Sequence, residues 1–412
     1  MSDNLRGDPG TTCVLKLERP TADSTYIPME LKITRGTIRT NPVPYYGMVD
    51  KNIGYIAIST FAIEGCSKDI KKALIELKQQ GATSIVLDLR GNGGGLLSEA
   101  VNVVNFFVPK GKEIVVTKGK IKQAGSTYKT SNEPIDMEIP LTVLVDGATA
   151  SAAEIVSGSL QDLDRAVIVG NRTYGKGLVQ VPRELPYNSS MKVTTAKYYI
   201  PSGRCIQAID YAKRNADGSV ARIPDSLTTV FHTAAGREVR DGGGIRPDVE
   251  VKAERFPNIM FYLLNDDMIF DYATQYCIKH PNIGEVKDFS VTDADYDDFK
   301  QMLKKRNFTY DRQSEKSLKN LKEIAEFEGY MEGASEEFAA LEKKLTHNLD
   351  HELNRFSKQI RKAIAEEIVK RHYFQRGVIL ERMKDDANLT KAIETLKDKE
   401  GYTKILSVPA DK

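Results

Sequence analysis

The sequence predicts an α/β core with a mostly parallel central sheet, followed by an all-helical region. Three observations carry that expectation. Apolar runs of strand length alternate with helix-period segments up to about residue 255; two of the strands run straight into turns built of small residues; and from Phe256 onward the texture changes to long, charged, helix-period sequence.

Taken in order, NIGYIAIST (52–60) reads as a buried strand, and SKDIKKALIELKQQG sets Ile70, Ala73, Leu74 and Leu77 on one helical face, with Gly81 ending the helix. TSIVLDLRGNGGG then passes from an apolar strand into a glycine loop, and LLSEAVNVVNFFV (96–108) resumes a helical pattern. A second unit repeats the order: strand PLTVLV (140–145), the small-residue run GATASAAEIVSGSLQD (147–162) opening a helix that reaches about Leu163, and strand AVIVG. In the tail only NIGEVKDFSVTDADYDD is broken by turn formers. Leu341, Leu345, Leu349, Leu353, Phe356, Ile360 and Ile364 recur every three or four residues and predict one apolar stripe on a single helix of about 30 residues, roughly 45 Å long. That stripe has two readings: a homodimer formed through the helical region, or a self-contained bundle with neighbouring tail helices.

Composition excludes several classes. The 412 residues suit two or three domains, and a formal charge of +2, from 59 basic against 57 acidic residues, supplies no bulk field that would call for nucleic acid or an anionic membrane. No apolar run is long enough to span a bilayer, and the opening MSDNLRGDPGTT lacks the features of a signal peptide. Cys13, Cys66, Cys205 and Cys277 form no CxxC pair, against a structural zinc site or redox motif. His347 and His351 are spaced i, i+4, but Asn348 stands where the zinc-protease motif has glutamate, so they read as surface residues and no metal is expected.

The chemistry gathers at three places. Ser151 lies where a strand gives way to a helix, a position favourable to developing negative charge; the competing role is a plain helix N-cap. A catalytic serine needs a base, yet no histidine precedes His232; the others are His280, His347, His351 and His372. Lysine is then the candidate: RTYGKGLVQ sets Lys176 between two glycines, where backbone can crowd the amine and exclude water, against the alternative of an exposed turn lysine. The loop DLRGNGGG (88–95) lacks the GK[ST] of a phosphate cradle and does not fit the dinucleotide fingerprint, but its backbone N–H groups would serve as half of an oxyanion hole.

Five ordered motifs resemble those of the C-terminal processing peptidases, or tail-specific proteases, which are Ser/Lys enzymes: DLRGNGGGLLSEAV, GATASAAEIVSGSLQD, RTYGKGLVQ, KYYIPSGRCIQ and GGIRPDVEV. The resemblance covers roughly residues 25–255, and the Ser151-to-Lys176 and Lys176-to-Gln180 spacings match the family pattern. It implies a crotonase-like peptidase core over 25–255 and a helical C-terminal domain over 256–412. It implies Ser151 as nucleophile, Lys176 as general base, Gln180 as the partner orienting the lysine amine, and the amides of Ala152 and Gly94 as the oxyanion hole. Gly93 stands where the family often has proline, so Gly95 competes with Gly94 for the second amide. LRGDPGTTCVLKLERP (5–20) resembles the last loop and strand of a PDZ domain whose remainder is missing, making residues 1–24 a PDZ remnant. The resemblance further implies protein or peptide substrates, no organic cofactor, an unidentified regulator, and the periplasm or cell envelope as location. The rival readings are a catalytically silent peptide-binding scaffold and a crotonase-type acyl-CoA enzyme, which would share the fold without the Ser/Lys pair.

Overall fold

The structure, a computed structural model, describes residues 2–21, 25–120, 125–214, 220–252, 254, 256–310, 312–345 and 349–407. It divides into two units, residues 1–38 with 254–385, and residues 39–253 with 386–412. At the start, one helical turn α1 (Ser2–Leu5) precedes an antiparallel hairpin, β1 (Thr12–Pro20) and β2 (Tyr26–Thr34), registered from Thr12 against Thr34 to Pro20 against Tyr26. Arg35 fastens its open end by donating to the carbonyls of Leu5 (3.0 Å) and Asn4 (2.9 Å) and to Thr11 Oγ1 (3.0 Å). The pairing carries this element to Thr34, past the boundary expected at residue 24, and leaves Val14, Tyr26 and Ile27 exposed.

The second unit is built on a six-stranded sheet. In chain order its elements are β3 (Tyr45–Asp50), β4 (Ile53–Ala57), α2 (Cys66–Gln79), β5 (Ser84–Asp88), α3 (Leu97–Val104), β6 (Glu113–Gly119), β7 (Ser126–Lys129), β8 (Leu141–Val145), α4 (Ala152–Asp162) and β9 (Val167–Gly170). There follow β10 (Leu178–Leu185), β11 (Ser189–Tyr199), β12 (Ile209–Arg214), β13 (Val220–Arg222), β14 (Val230–His232), β15 (Glu238–Arg240) and β16 (Val249–Glu250). The main sheet has the order β16-β9-β8-β5-β4-β3 and is parallel except where β3 meets β4. Helix α2 buries Ile70, Ala73, Leu74 and Leu77, as its periodicity predicts, and ends at Gly81 (φ +98°). There the Ala82 amide reaches back to the Leu77 carbonyl at 2.9 Å, a Schellman closure that a left-handed glycine permits.

Because β4, β5, β8 and β9 follow one another in a single direction across the sheet, right-handed crossovers put α2, α3 and α4 on one face. Strands β4, β5, β8 and β9 are nonetheless buried at every position, so the opposite face is covered too. A second, four-stranded sheet, β10-β11-β6-β7, carries the segment that follows Lys176.

Residues 254–385 form a helical unit: α5 (Asn258–Asn265), α6 (Met268–Lys279), α7 (Asp293–Lys305), α8 (Gln313–Phe327), α9 (Met331–Leu345), α10 (Leu349–Arg355) and α11 (Ser357–Met383). Its core includes Leu263, Ile269, Tyr296, Phe299, Leu303 and Ile368. The single long helix expected from the stripe is corrected here. Its residues are shared among α9, α10 and α11, with Phe356 (φ −105°, ψ 20°) between the last two. Leu353, Ile360 and Ile364 are buried in the unit's own core while Leu341 is exposed, because separate short helices can each turn the same spacing toward a local core. Helix α11 is itself interrupted at Phe374 (φ +54°). His351 is exposed on α10, and His347 lies outside the described residues.

The last two helices, α12 (Ala387–Lys397) and α13 (Lys399–Leu406), belong with the sheet unit rather than with the helices before them. Helix α12 lies on β5, β8 and β9 and buries Leu389, Ala392 and Leu396, an i, i+3, i+7 face. The Tyr402 hydroxyl bonds the amide (2.9 Å) and carbonyl (3.1 Å) of Leu141. These helices supply cover for the second face of the sheet. Among the described residues no helix is long and apolar enough to cross a membrane.

Candidate active site

Strand β8 stops at Val145 and a tight turn carries the chain into α4. Asp146 Oδ1 accepts the amides of Ala148 (3.0 Å), Thr149 (2.9 Å) and Gly91 (3.1 Å), and the Thr149 hydroxyl donates to the Leu89 carbonyl at 2.9 Å. The turn and the glycine loop are thus one hydrogen-bonded body. Ser151 follows at φ 56°, ψ −117°, a conformation that costs a non-glycine residue roughly 1–3 kcal/mol, at the sharp turn from strand to helix. An ordinary N-cap sits in the β region; Ser151 departs from that backbone while its amide still takes the returning Glu154 carboxylate of a capping box.

The small side chains clear the approach of the glycine loop. A Cβ on Gly94 would lie 2.8 Å from both Ser151 Cβ and the Ala152 nitrogen, and one on Gly95 would lie 2.1 Å from the backbone of Phe61 and Ala62. Buried Asn92 shapes the loop from within: its side-chain nitrogen donates to the Ile58 carbonyl (2.8 Å), its side-chain oxygen accepts the Gly94 amide (2.9 Å), and its carbonyl accepts the Ala150 amide (3.0 Å). The Gly94 amide is therefore engaged inside the loop. Among the described residues the amides of Gly95 and Ala152 have no hydrogen-bond partner.

The lysine turn is clamped from behind. A Cβ on Gly175 would lie 2.3 Å from Ala208 Cβ, one on Gly177 2.8 Å from the Gln207 nitrogen, and the Gly177 amide donates to Gln207 Oε1 at 2.8 Å. Glu154, fully buried on α4, joins this turn to the turn that carries Ser151. Its Oε1 accepts the Thr173 hydroxyl (2.5 Å) and the Gly175 amide (2.7 Å), and its Oε2 accepts the amides of Ser151 and Lys176, both at 2.8 Å. Burial pushes the Glu154 carboxyl up, while its four donors favour the charged form. Three of the four are amides that cannot accept a proton, so the pattern fits a carboxylate. Tyr198, also buried, donates to the Lys176 carbonyl and lies 3.3 Å from the Ser151 carbonyl; burial and then the nearby Glu154 charge raise its hydroxyl well above the usual value, so it stays a neutral donor.

The structure thus ties the backbones of Ser151 and Lys176 to one carboxylate and packs Gly94 against Ser151 and Ala152. Among the described residues no hydrogen bond joins the Ser151 hydroxyl to the Lys176 amine, or that amine to Gln180. Gln180 is exposed on β10, at an irregularity where the pairing with β11 slips from Val179–Ala196 to Gln180–Thr194.

Residues 52–213 match the family model described as Peptidase family S41. The chain carries a peptidase family S41 domain. Residues 259–396 match a second model, the probable PDZ-protease C-terminal helical domain. The S41 domain is similar to the carboxy-terminal-processing protease of Bartonella bacilliformis, 38% identical over 213 residues, which is 50% of this chain and 47% of that protein. It is also similar to the carboxyl-terminal-processing protease of Picosynechococcus sp., 40% identical over 200 residues, 48% of this chain and 46% of that one. The chain spans about half the length of these relatives. A solved photosystem II D1 C-terminal processing protease aligns with 61% of this chain and 58% of its own, at 29% identity and a TM-score of 0.40.

Glu154 and Tyr198 are the residues of the S41 domain that sequence reasoning passed over. The first had a signal, since Ser151-x-x-Glu154 is a capping-box pattern in which the glutamate returns to the serine amide. Tyr198 had none, because its partners are backbone carbonyls 22 and 47 positions away.

Proposed function

We propose that the chain is a serine endopeptidase of the C-terminal processing kind, hydrolysing peptide bonds in unfolded or C-terminally exposed protein segments. The observation that carries this reading is the single Glu154 oxygen that accepts the amides of both Ser151 and Lys176, together with the strained backbone of Ser151. Ser151 Oγ attacks the scissile carbonyl and its proton passes to neutral Lys176; the oxyanion takes the Ala152 amide and one glycine-loop amide; the amine leaves with the proton, and water, deprotonated by the same lysine, releases the acyl group. Because the Gly94 amide is engaged by Asn92, Gly95 is the better second donor. Gln180 orients the lysine amine once substrate draws the side chains together, since catalytic hydrogen bonds often close only in the complex.

The same reading takes the core as crotonase-like, the N-terminal hairpin as a PDZ remnant extending to Thr34, and the cell envelope as the location. It keeps residues 256–385 as the helical domain and adds 386–412 to the peptidase core. Self-association through the helical domain, if it is the route to a homodimer, rests on exposed Leu321, Ile324, Phe327 and Leu341 rather than on the original stripe. A regulator that acts on the peptidase belongs to this reading as well.

Casein digestion by the wild type beside Ser151→Ala tests the proposal. The substitution is expected to remove activity by on the order of 10⁴-fold or more. Equal digestion by both would place the nucleophile elsewhere, and no digestion by the wild type would make the chain a silent peptide-binding scaffold.

A further inference from the structure

Strand β5 ends at Asp88, and Arg90 stands immediately before the glycine loop. Its guanidinium faces two carboxylates. Nε donates to both oxygens of Asp88 (3.0 and 3.1 Å) and Nη2 to Asp88 Oδ2 (2.5 Å), while Nη1 and Nη2 donate to the two oxygens of Asp386 at 2.9 and 2.6 Å. Asp88 in turn accepts the Tyr55 hydroxyl (2.6 Å). Asp386 is the N-cap of α12, accepting the amides of Asn388 (3.0 Å) and Leu389 (3.1 Å), and its side chain is only 8% exposed. It lies 296 residues from Arg90 and outside the stretch that matches the S41 family.

This arrangement does more than dock a helix. Planar, two-point pairing of a guanidinium with a carboxylate fixes orientation as well as distance. Arg90 is peptide-bonded to Gly91, whose amide is held by Asp146 of the nucleophile turn, and two residues further Asn92 sets the loop's internal geometry. Asp146, Asn92 and the Phe61 backbone hold the middle and far end of the loop, and Arg90, the side chain flanking its first glycine, holds the end that leaves β5.

We infer that Asp386 is a positioning residue: by holding Arg90 from the N-terminus of α12, it helps set the glycine loop that packs against Ser151 and Ala152, making α12 part of the peptidase machinery. The inference rests on the peptidase reading given above for its catalytic consequence, though not for the loop geometry.

Two substitutions in the full chain separate positioning from helix capping. Asp386→Asn keeps a good N-cap and loses the charge, whereas Asp386→Glu keeps the charge and weakens the cap. Casein cleavage and amide hydrogen exchange over residues 89–96 are measured for both. Asp386→Asn is expected to lower kcat by about 10- to 100-fold with little change in KM, and to speed exchange in that segment while β8 keeps its protection; Asp386→Glu is expected to stay near wild type in both. Wild-type kcat and exchange in Asp386→Asn, or losses confined to Asp386→Glu, overturn the inference. Should the wild type cleave nothing, the peptidase reading falls, and exchange alone decides the loop: faster exchange in Asp386→Asn supports the positioning role and unchanged exchange overturns it.

Discussion

The knot around Glu154 and the helical unit of residues 254–385 are held by opposite means. In the knot, polar groups are buried, each oxygen has named donors, and glycines stand where a Cβ would strike backbone. In the helical unit, an aromatic and aliphatic core does the holding, and charges pair at the surface, as Lys322 does with Glu342 and Lys304 with Asp350. The first arrangement tolerates almost no change in shape or hydrogen-bonding pattern. The second tolerates many, since exposed ion pairs contribute about 0–1 kcal/mol each.

Glycine substitutions give the sharpest contrast. Gly95→Ala would drive a Cβ to 2.1 Å from the backbone of Phe61 and Ala62 at φ +148°, and is expected to cost more than about 4 kcal/mol, read as loss of a cooperative melting transition or of soluble protein. A stable, active variant would show that the loop can move away from Phe61.

Next in size is Glu154→Gln. Turned toward Thr173 and Gly175, where the hydroxyl can accept from it, the new amide nitrogen still faces the Gly175 N–H in a dry site and leaves at least one buried donor unpaired, at about 1–3 kcal/mol. Denaturant titration should register a loss of at least roughly 1–3 kcal/mol, with casein cleavage down at least about 100-fold. Near-normal values would mean that water or a shifted backbone replaces the carboxylate.

Acid offers a smaller and graded effect. Burial alone would raise the Asp386 carboxyl, but the hydrogen bonds and charge of Arg90, with the amides of Leu389 and Asn388, hold it below its ordinary 3.8. A depressed carboxyl contributes stability that is fully present above 3.8 and lost as pH falls through the lowered value. The deficit of Asp386→Asn relative to wild type, about 1.5–3 kcal/mol near neutrality, should therefore shrink in strong acid. A deficit that stays constant with pH would assign it to packing instead of charge.

The smallest effect has the opposite sign. Gly333, inside α9, has nothing within 4 Å of where its Cβ would be, so Gly333→Ala should stabilise the helix by about 0.5–1 kcal/mol. A destabilised variant would mean that this face of α9 is occupied in solution.

What could be read from the sequence follows the same division. Ile70, Ala73, Leu74 and Leu77 were legible because periodicity reports burial, and the sheet because apolar strands alternate with helices. Ser151, Lys176 and the glycines stood out because each has one local task. The stripe from Leu341 to Ile364 misled only as to one continuous helix, because periodicity names the residues that seek burial without marking where one helix ends and the next begins. Tyr198 and Asp386 were invisible because their partners lie far along the chain. The open Ser151–Lys176–Gln180 side-chain geometry was equally out of reach, since spacing constrains backbone and not rotamers.

The return of α12 to the sheet also orders events in time. The face of β5, β8 and β9 beneath Leu389, Ala392 and Leu396 is laid down in synthesis well before α12, which covers it. With 296 residues between Arg90 and Asp386, and translation at ~5–20 residues per second, that apolar face waits about 15 to 60 s for its cover. Ribosome-bound chains halted before residue 386 should accordingly be cut within residues 84–170 by a protease that spares the released protein. The glycine loop would then acquire the Asp386 grip only once α12 has emerged from the ribosome, so the site would be finished by a segment made long after its own residues.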